Sequence, residues 1–211
     1  DMQVTVNPEG LDTLVFLRDE TMALKERFPQ TNTRFDRIRH QFLFDGVPVV
    51  NGVFSQSSLL LNRMLRAHTD ACIGGADSLL DLYCGTGNLS LHHAGSALVC
   101  GVDHAGAAVR AVSALVPAVY TEGDETYMAR LLKQQSWEVI LLDPPRTGAR
   151  PLVQALAVAR ARKIVYVSCD PATLARDLRG IMAAGWSLTQ VTVVDMFPYT
   201  PHVETVCVLE Q

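Results

Sequence analysis

Seven short apolar runs separated by stretches of helical periodicity fill the chain from residue 79 onward. The runs are Leu79–Tyr83, Leu98–Val102, Val119–Thr121, Val139–Leu142, Ile164–Ser168, Leu188–Val194 and Thr205–Leu209. Helical patterns fall between the first six, notably over 105–115, 125–134, 151–159 and 173–184. Strands that alternate with helices predict an α/β fold, a mostly parallel sheet covered on both faces. The last two runs are joined through Phe-Pro-Tyr-Thr-Pro at 197–201, too short for a helical crossover, so an antiparallel hairpin should close the sheet.

Residues 1–55 read differently. Val4, Val6, Leu14, Val15, Leu17, Phe42, Phe44, Val47, Val49 and Val50 form short β-like runs between turn-forming stretches such as Asn-Pro-Glu-Gly and Asp-Gly-Val-Pro. A few antiparallel strands are expected there, a small β-rich segment ahead of a second unit spanning 56–211. A connecting helix is expected from Leu59 to Ala67.

Composition narrows the class. With 48% hydrophobic residues in 211, the chain has enough apolar material for one well-buried domain. No apolar run approaches the roughly 18 residues of a membrane span, so no membrane contact is expected, and the odd count of cysteines favours a reducing, cytoplasmic setting. Five cysteines, none in Cys-x-x-Cys spacing, argue against zinc and against a disulfide framework, so no metal is expected. The net charge of −4 lacks the basic footprint common in nucleic-acid binders. Arg18, Lys25, Arg27, Arg34, Arg37 and Arg39 cluster, but with four acids among them they read as a solvated surface. The chain opens on Asp1, and the expectation is a piece of a longer protein with a further domain upstream.

Two sets of motifs bear on chemistry. Asp-Leu-Tyr-Cys-Gly-Thr-Gly-Asn at 81–88 follows an apolar run and is expected to open a helix, with Gly85 and Gly87 allowing a sharp turn close to a ligand. A dinucleotide fingerprint wants a third glycine where Ser90 stands, which counts against nicotinamide or flavin. Asp103 ends the second run, where it can accept from ribose hydroxyls, and Gly123-Asp124 follows the third. Three such strand ends in series describe a nucleoside-type cofactor, and S-adenosylmethionine fits because its methionine portion needs no pyrophosphate cradle.

The second set lies further on. Asp143-Pro-Pro-Arg146 forms a stiff loop, and Arg146 offers a fork of donors for a substrate carbonyl or phosphate. Cys169, in Val-Ser-Cys-Asp-Pro, is placed to act as a nucleophile, and Glu204, beside Val203, to accept a proton. Carbon 5 of a uracil is a poor nucleophile until a thiolate adds at carbon 6. A thiol, a base and a methyl donor are what its methylation requires.

These residues make the chain similar to a known family. It resembles the catalytic domain of the RNA 5-methyluridine (uracil-C5) methyltransferases, over about residues 54–210. The likeness rests on Phe-Ser-Gln at 54–56, the 81–88 motif, Asp-Pro-Pro-Arg-Thr-Gly at 143–148, Tyr-Val-Ser-Cys-Asp-Pro-Ala-Thr-Leu-Ala-Arg-Asp at 166–177 and Phe-Pro-Tyr-Thr-Pro-His-Val-Glu-Thr at 197–205. The resemblance implies a Rossmann-like class I methyltransferase fold, an RNA partner, tRNA or rRNA, and an RNA-gripping N-terminal domain expected upstream of this chain. It places Gln56, Tyr83, Asn88, Asp103, Asp124 and Asp143 on cofactor-contacting positions, Cys169 on the nucleophile and Glu204 on the proton acceptor. The chain departs from the family at Ser58, where Asn is usual, and at Asp103, where Glu is commoner. An RNA cytosine-C5 methyltransferase shares the thiol logic but carries a second cysteine in the loop held here by Asp143-Pro-Pro-Arg146. A non-catalytic RNA-binding remnant would have no need of both Cys169 and Glu204.

Overall fold

Alternation within single strands builds the centre of the molecule. The computed structural model describes residues 2–10, 12–17, 32–33, 41–116, 120–200 and 202–211. Seven strands form the main sheet: β6 (Ser78–Leu82), β7 (Leu98–Asp103), β8 (Tyr120–Glu122), β9 (Ser136–Leu142), β10 (Arg160–Ser168), β11 (Ser187–Val194) and β12 (Glu204–Glu210). Their spatial order is β11-β12-β10-β9-β6-β7-β8. The pairs from β10 to β8 are parallel, and β12 lies antiparallel between β10 and β11. This is the expected seven-stranded, mostly parallel sheet with its terminal hairpin.

Odd and even positions of these strands feed different cores. Leu80, Leu82, Ile140, Leu142, Ile164, Tyr166, Cys207 and Leu209 face α3 (Glu125–Gln134), α4 (Val153–Ala157) and α5 (Pro171–Met182). Leu79, Val139, Leu141, Val165, Val167, Val206 and Val208 face α1 (Leu59–Ile73) and α2 (Gly106–Ser113). A period-2 element buried on both faces has no polar side to show, which is why its strands read as continuous apolar runs.

Several expectations need correction. The glycine motif does not open an α-helix: turns lead into a short 3₁₀ segment, Leu91–Gly95. Nine residues separate Asn88 from Leu98, where β7 begins, so little room remains for helical turns before the chain must re-enter the sheet. The stretch expected as one helix over 151–159 divides into a 3₁₀ turn at Arg150–Leu152 and the short α4. The connecting helix runs on to Ile73, because its buried stripe continues through Thr69, Cys72 and Ile73. β9 and β10 also begin earlier than their apolar runs, through the polar stretches Ser136–Glu138 and Arg160–Lys163 at the far end of the sheet.

The N-terminal residues form two small sheets. β1 (Met2–Val6) and β2 (Thr13–Leu17) are antiparallel, whereas β3 (Asn32–Thr33) joins β2 in parallel, against the expectation of antiparallel strands alone. β4 (Gln41–Phe44) and β5 (Val47–Val50) make a hairpin. Its two-residue turn is Asp45-Gly46, with φ of 49° and 77°, the left-handed pair that a tight hairpin requires. Leu14, Phe42, Phe44 and Val49 share a core with Leu59 of α1. Arg63 of α1 bonds both Asp45 and Glu9 and lies over the Phe44 ring. The basic cluster from Arg18 to Arg39, and Val119, lie outside the described residues.

Candidate active site

All five parallel strands end at one edge of the sheet, and β12 begins there. Read across that edge in spatial order, the segments are Gly123-Asp124 after β8, Asp103 at the end of β7, and Tyr83 to Asn88 after β6. Asp143 after β9, Cys169 after β10 and Glu204 at the start of β12 complete the row. At about 4.8 Å per strand the row is roughly 24 Å long. The chain order reverses between β6 and β9, since β6 leads outward through β7 to β8 and β9 returns on its other side. A crevice at such a reversal is where open α/β sheets bind ligands. It lies between the glycine turn and Asp143, whose backbone N–H donates to Leu82 O at 3.4 Å.

The glycine-turn side is highly ordered by hydrogen bonds. Tyr83 is buried at a φ of 61°, uncommon for a residue with a side chain. Gly85 (φ 53°) donates its N–H to Asp103 Oδ2 at 2.8 Å, and a Cβ built at Gly85 meets open space. Gly87 is different: its φ of 75° favours glycine, and a Cβ there would stand 3.0 Å from both Val112 and the Tyr120 hydroxyl, a tight fit. Asp103, buried, also accepts from Ala105 N–H at 2.7 Å. Asn88 exchanges amide hydrogen bonds with Asn62 of α1, at 2.7 and 3.0 Å. Ser58, the departure from the family's Asn, caps α1 through Leu61 N–H, a role either residue fills. Gln56 is buried, and its Oε1 has no hydrogen-bond partner. Asp124 is exposed and caps α3 by accepting from Tyr127 N–H.

Beneath the turn, Ser90 donates to buried Asp81 at 2.5 Å and contacts the Tyr120 hydroxyl at 2.9 Å. The residue that breaks a dinucleotide fingerprint thus serves an interior network. Burial, opposed by that hydrogen bond and reinforced by Asp103, pushes the Asp81 carboxyl up to about 7.

On the other side four groups share one electrostatic neighbourhood. Thr205 pairs with Ser168, so the next antiparallel step sets Glu204 beside Cys169. Glu204 is only 3% exposed, its Oε2 has no hydrogen-bond partner, and burial pushes its carboxyl up to about 7 while Arg146 pulls it down. The Asp143 carboxyl is pushed well up by burial and by the charges of Glu204 and Asp81. The Cys169 thiol is raised by burial, Glu204 and Asp143, with Arg146 opposing. Arg146 is thus the positive charge among two acids and a thiol.

The loop bearing Asp143 and Arg146 is fastened to the helix that follows Cys169. Asp170 caps α5 through Thr173 N–H at 2.8 Å. Thr173 Oγ1 donates to Arg146 O at 3.0 Å, and Arg176 to Thr147 O at 2.8 Å. Buried Asp177 accepts from Ala149 N–H at 2.7 Å, from the Tyr166 hydroxyl at 2.8 Å and from Arg176 at 2.9 Å. Asn62, Thr173, Arg176 and Asp177 were not among the sequence candidates. A signal for two of them existed: Asn62 and Asp177 sit on the apolar stripes of their helices, with Leu65 and Thr69 in one and Leu174, Leu178 and Ile181 in the other.

Comparison with known proteins follows the same residues. The tRNA (Uracil-5-)-methyltransferase family model matches residues 125–211, which include Asp143, Arg146, Cys169 and Glu204. The chain is similar to proteins named as RNA uracil-C5 methyltransferases over part of their length. The 23S rRNA (uracil(1939)-C(5))-methyltransferase RlmD of Mannheimia succiniciproducens is 36% identical to it across 99% of the chain and 50% of that protein. The protein of the same name from Alcanivorax borkumensis is 41% identical, across 64% of the chain and 32% of that protein. Among solved structures, the tRNA (uracil-54, C5)-methyltransferase of Pyrococcus abyssi, in complex with S-adenosyl-L-homocysteine, superposes with a TM-score of 0.69. It is 28% identical, and the match covers 80% of this chain and 43% of that one. The fold is that of the class I methyltransferases. The chain spans half or less of the length of these curated relatives.

Proposed function

We propose that this RNA uracil-C5 methyltransferase relative moves a methyl group from S-adenosylmethionine to carbon 5 of a uridine in tRNA or rRNA, in a cytoplasmic setting. The observation that carries the reading is the convergence of Cys169, Glu204, Asp143 and Arg146 at adjoining strand ends beside the glycine turn. The names of the similar proteins support the substrate class. The buried, unpartnered Gln56 Oε1 and the open space beside Gly85 fit a cofactor there. Tyr83, Asn88, Asp103, Asp124 and Asp143 would complete its site, with Asp103 and Asp124 using the lone pairs their backbone partners leave free. Bound S-adenosylmethionine would supply an electrophilic methyl group.

Cys169 acts first. Burial and the neighbouring acids raise its thiol while Arg146 opposes them, so the proton passes to solvent water before the uridine is seated, and Arg146 then faces the ring's developing enolate charge. The Cys169 sulfur bonds to carbon 6, and the electron pair pushed onto carbon 5 forms the new carbon–carbon bond. Carbon 5 then bears both the methyl group and its original hydrogen. Glu204, an acid raised to about 7 and therefore a competent base near neutrality, takes that proton, and the sulfur–carbon 6 bond breaks to return the thiolate. Attack on a ring face requires the uridine to be turned out of any stack.

The deciding experiment is incubation with S-adenosylmethionine and RNA containing 5-fluorouridine. A covalent protein–RNA adduct that depends on Cys169 supports the mechanism, because fluorine cannot leave as a proton. Absence of an adduct, with cofactor bound and RNA bound, would establish a binding remnant in place of an enzyme. Adducts with 5-fluorocytidine RNA alone would favour the cytosine reading.

A further inference from the structure

A second convergence of side chains lies behind the glycine turn, away from the strand-end row. Asp70, on the last turn of α1, meets His92 and His93 of the Leu91–Gly95 segment. Asp70 Oδ1 stands 2.6 Å from His92 Nε2 and 3.4 Å from His93 Nε2, and all three atoms lie within 4.8 Å of one another. The two rings are stacked obliquely, 4.1 Å apart at 42°. Close as they are, the contacts do not have hydrogen-bond geometry: Asp70 Oδ1 and His93 Nε2 are both buried atoms with no hydrogen-bond partner. A buried carboxylate oxygen and a buried imidazole nitrogen without hydrogen-bond partners, beside a second imidazole nitrogen, put three potential ligand atoms within reach of one ion. Ligand atoms about 2.0–2.1 Å from one ion stand roughly 3.0–3.4 Å apart; the Asp70–His93 separation of 3.4 Å meets that spacing, and the Asp70–His92 separation of 2.6 Å has to open slightly to take an ion.

We infer that Asp70, His92 and His93 bind a divalent transition-metal ion of the zinc class. Two imidazoles and one carboxylate suit zinc, nickel or cobalt rather than calcium or magnesium, which prefer all-oxygen sets. His92 is exposed and the other two half-buried, so the ion has a path from solvent and positions left for water. Cysteine spacing predicts no metal, and this site uses none of the cysteines.

The ion would join α1 to the segment directly after the cofactor turn. Among the described residues, the paired amides of Asn62 and Asn88 already tie α1 to the glycine turn by side-chain hydrogen bonds. Asn62 and Asp70 are eight residues apart on α1, about 12 Å along its axis, so the two ties together fix the orientation of the helix against the turn. The role is therefore structural, holding in place the backbone that Gly85 presents.

The test uses the purified protein stripped with EDTA and titrated with Zn²⁺ alone in a calorimeter. One equivalent should bind, and at a hundredfold excess over Kd the melting temperature should rise by about 5–10 °C. Co²⁺ alone should give visible absorption bands of a nitrogen- and oxygen-ligated ion, without a thiolate charge-transfer band. The double variant His92→Gln/His93→Gln should lose the binding and the thermal shift. If that variant fails to fold, Asp70→Asn answers the same question by weakened binding. His68 and Cys72, a neighbouring pair 3.7 Å apart on α1, provide the control. His68→Ala/Cys72→Ser should bind Zn²⁺ as the parent does. Absence of saturable Zn²⁺ binding, binding unchanged in the His92/His93 variant, or binding that follows Cys72 would each overturn the inference. None of these readouts involves RNA or methyl transfer.

Discussion

Cys169 and Glu204 illustrate how a residue's role depends on its surroundings. An ordinary glutamate is a poor base at neutral pH because its carboxylate is too weakly basic, but Glu204 lies 3% exposed with an unpartnered oxygen and is raised to about 7. Replacing Cys169 with Ala should abolish methylation while leaving S-adenosylhomocysteine binding measurable by calorimetry; loss of that binding in a folded variant would contradict the assignment. Glu204→Gln should accumulate the protein–RNA adduct, visible as a slow-migrating band in a denaturing gel, because the proton on carbon 5 then has no acceptor. In the parent protein, breakdown of that adduct should slow as pH falls below about 7, as the Glu204 carboxylate takes up a proton. A pH-independent breakdown rate would remove Glu204 from the step.

Among the elements, α5 does more than cover the sheet. Its N-terminus follows Cys169, and Thr173, Arg176 and Asp177 hold the 143–149 loop by backbone contacts. Asp177 was legible only as an acid on an apolar stripe, a conflict between pattern and burial that marks a satisfied internal acceptor. Asp177→Asn turns one of its acceptor oxygens into a donor facing Ala149 N–H or Arg176, and should cost about 1.5–3 kcal/mol in a urea titration. It should also lower kcat more than it weakens S-adenosylhomocysteine binding, because in the proposed function the loop presents Arg146 to the substrate. Equal loss of both would mean that Asp177 supports the whole sheet rather than the loop. The glycine turn is a second case at this scale. Its expected helix is replaced by a 3₁₀ segment because the interval to β7 is short, and that brevity places His92 and His93 against α1.

For the molecule as a whole, buried acids divide into two sets with opposite effects. Asp81 and Glu204 are raised to about 7 and Asp143 is raised well up, so the folded state binds protons that the unfolded chain has already released. Their contribution favours folding below about pH 4 and is lost as pH rises from there through 7. Asp45 and Asp70 are lowered, by Arg63 in one case and by His92 and His93 against burial in the other, so their contribution is present above about pH 4 and lost as pH falls further. Without ligands, unfolding free energy by urea should therefore be greater at pH 5 than at pH 8. A stability that rises steadily from pH 5 to 8 would show that the raised acids are paired in solution.

Strand alternation, the antiparallel end and the motif order were determined by sequence, since a doubly covered parallel sheet imposes long apolar runs and its ligand-facing turns impose special residues just after them. The strand-end positions of Asp103, Asp143, Cys169 and Glu204 were legible for that reason, since local pattern and place in the sheet coincide there. Asn62, Asp177 and the Asp70–His92–His93 group belong to tertiary structure. Their partners are brought together from separate elements by packing, and no local periodicity encodes which polar side chain will meet which. Burial itself, which gives Glu204 its basicity, also exists only once β12 has taken its place beside β10.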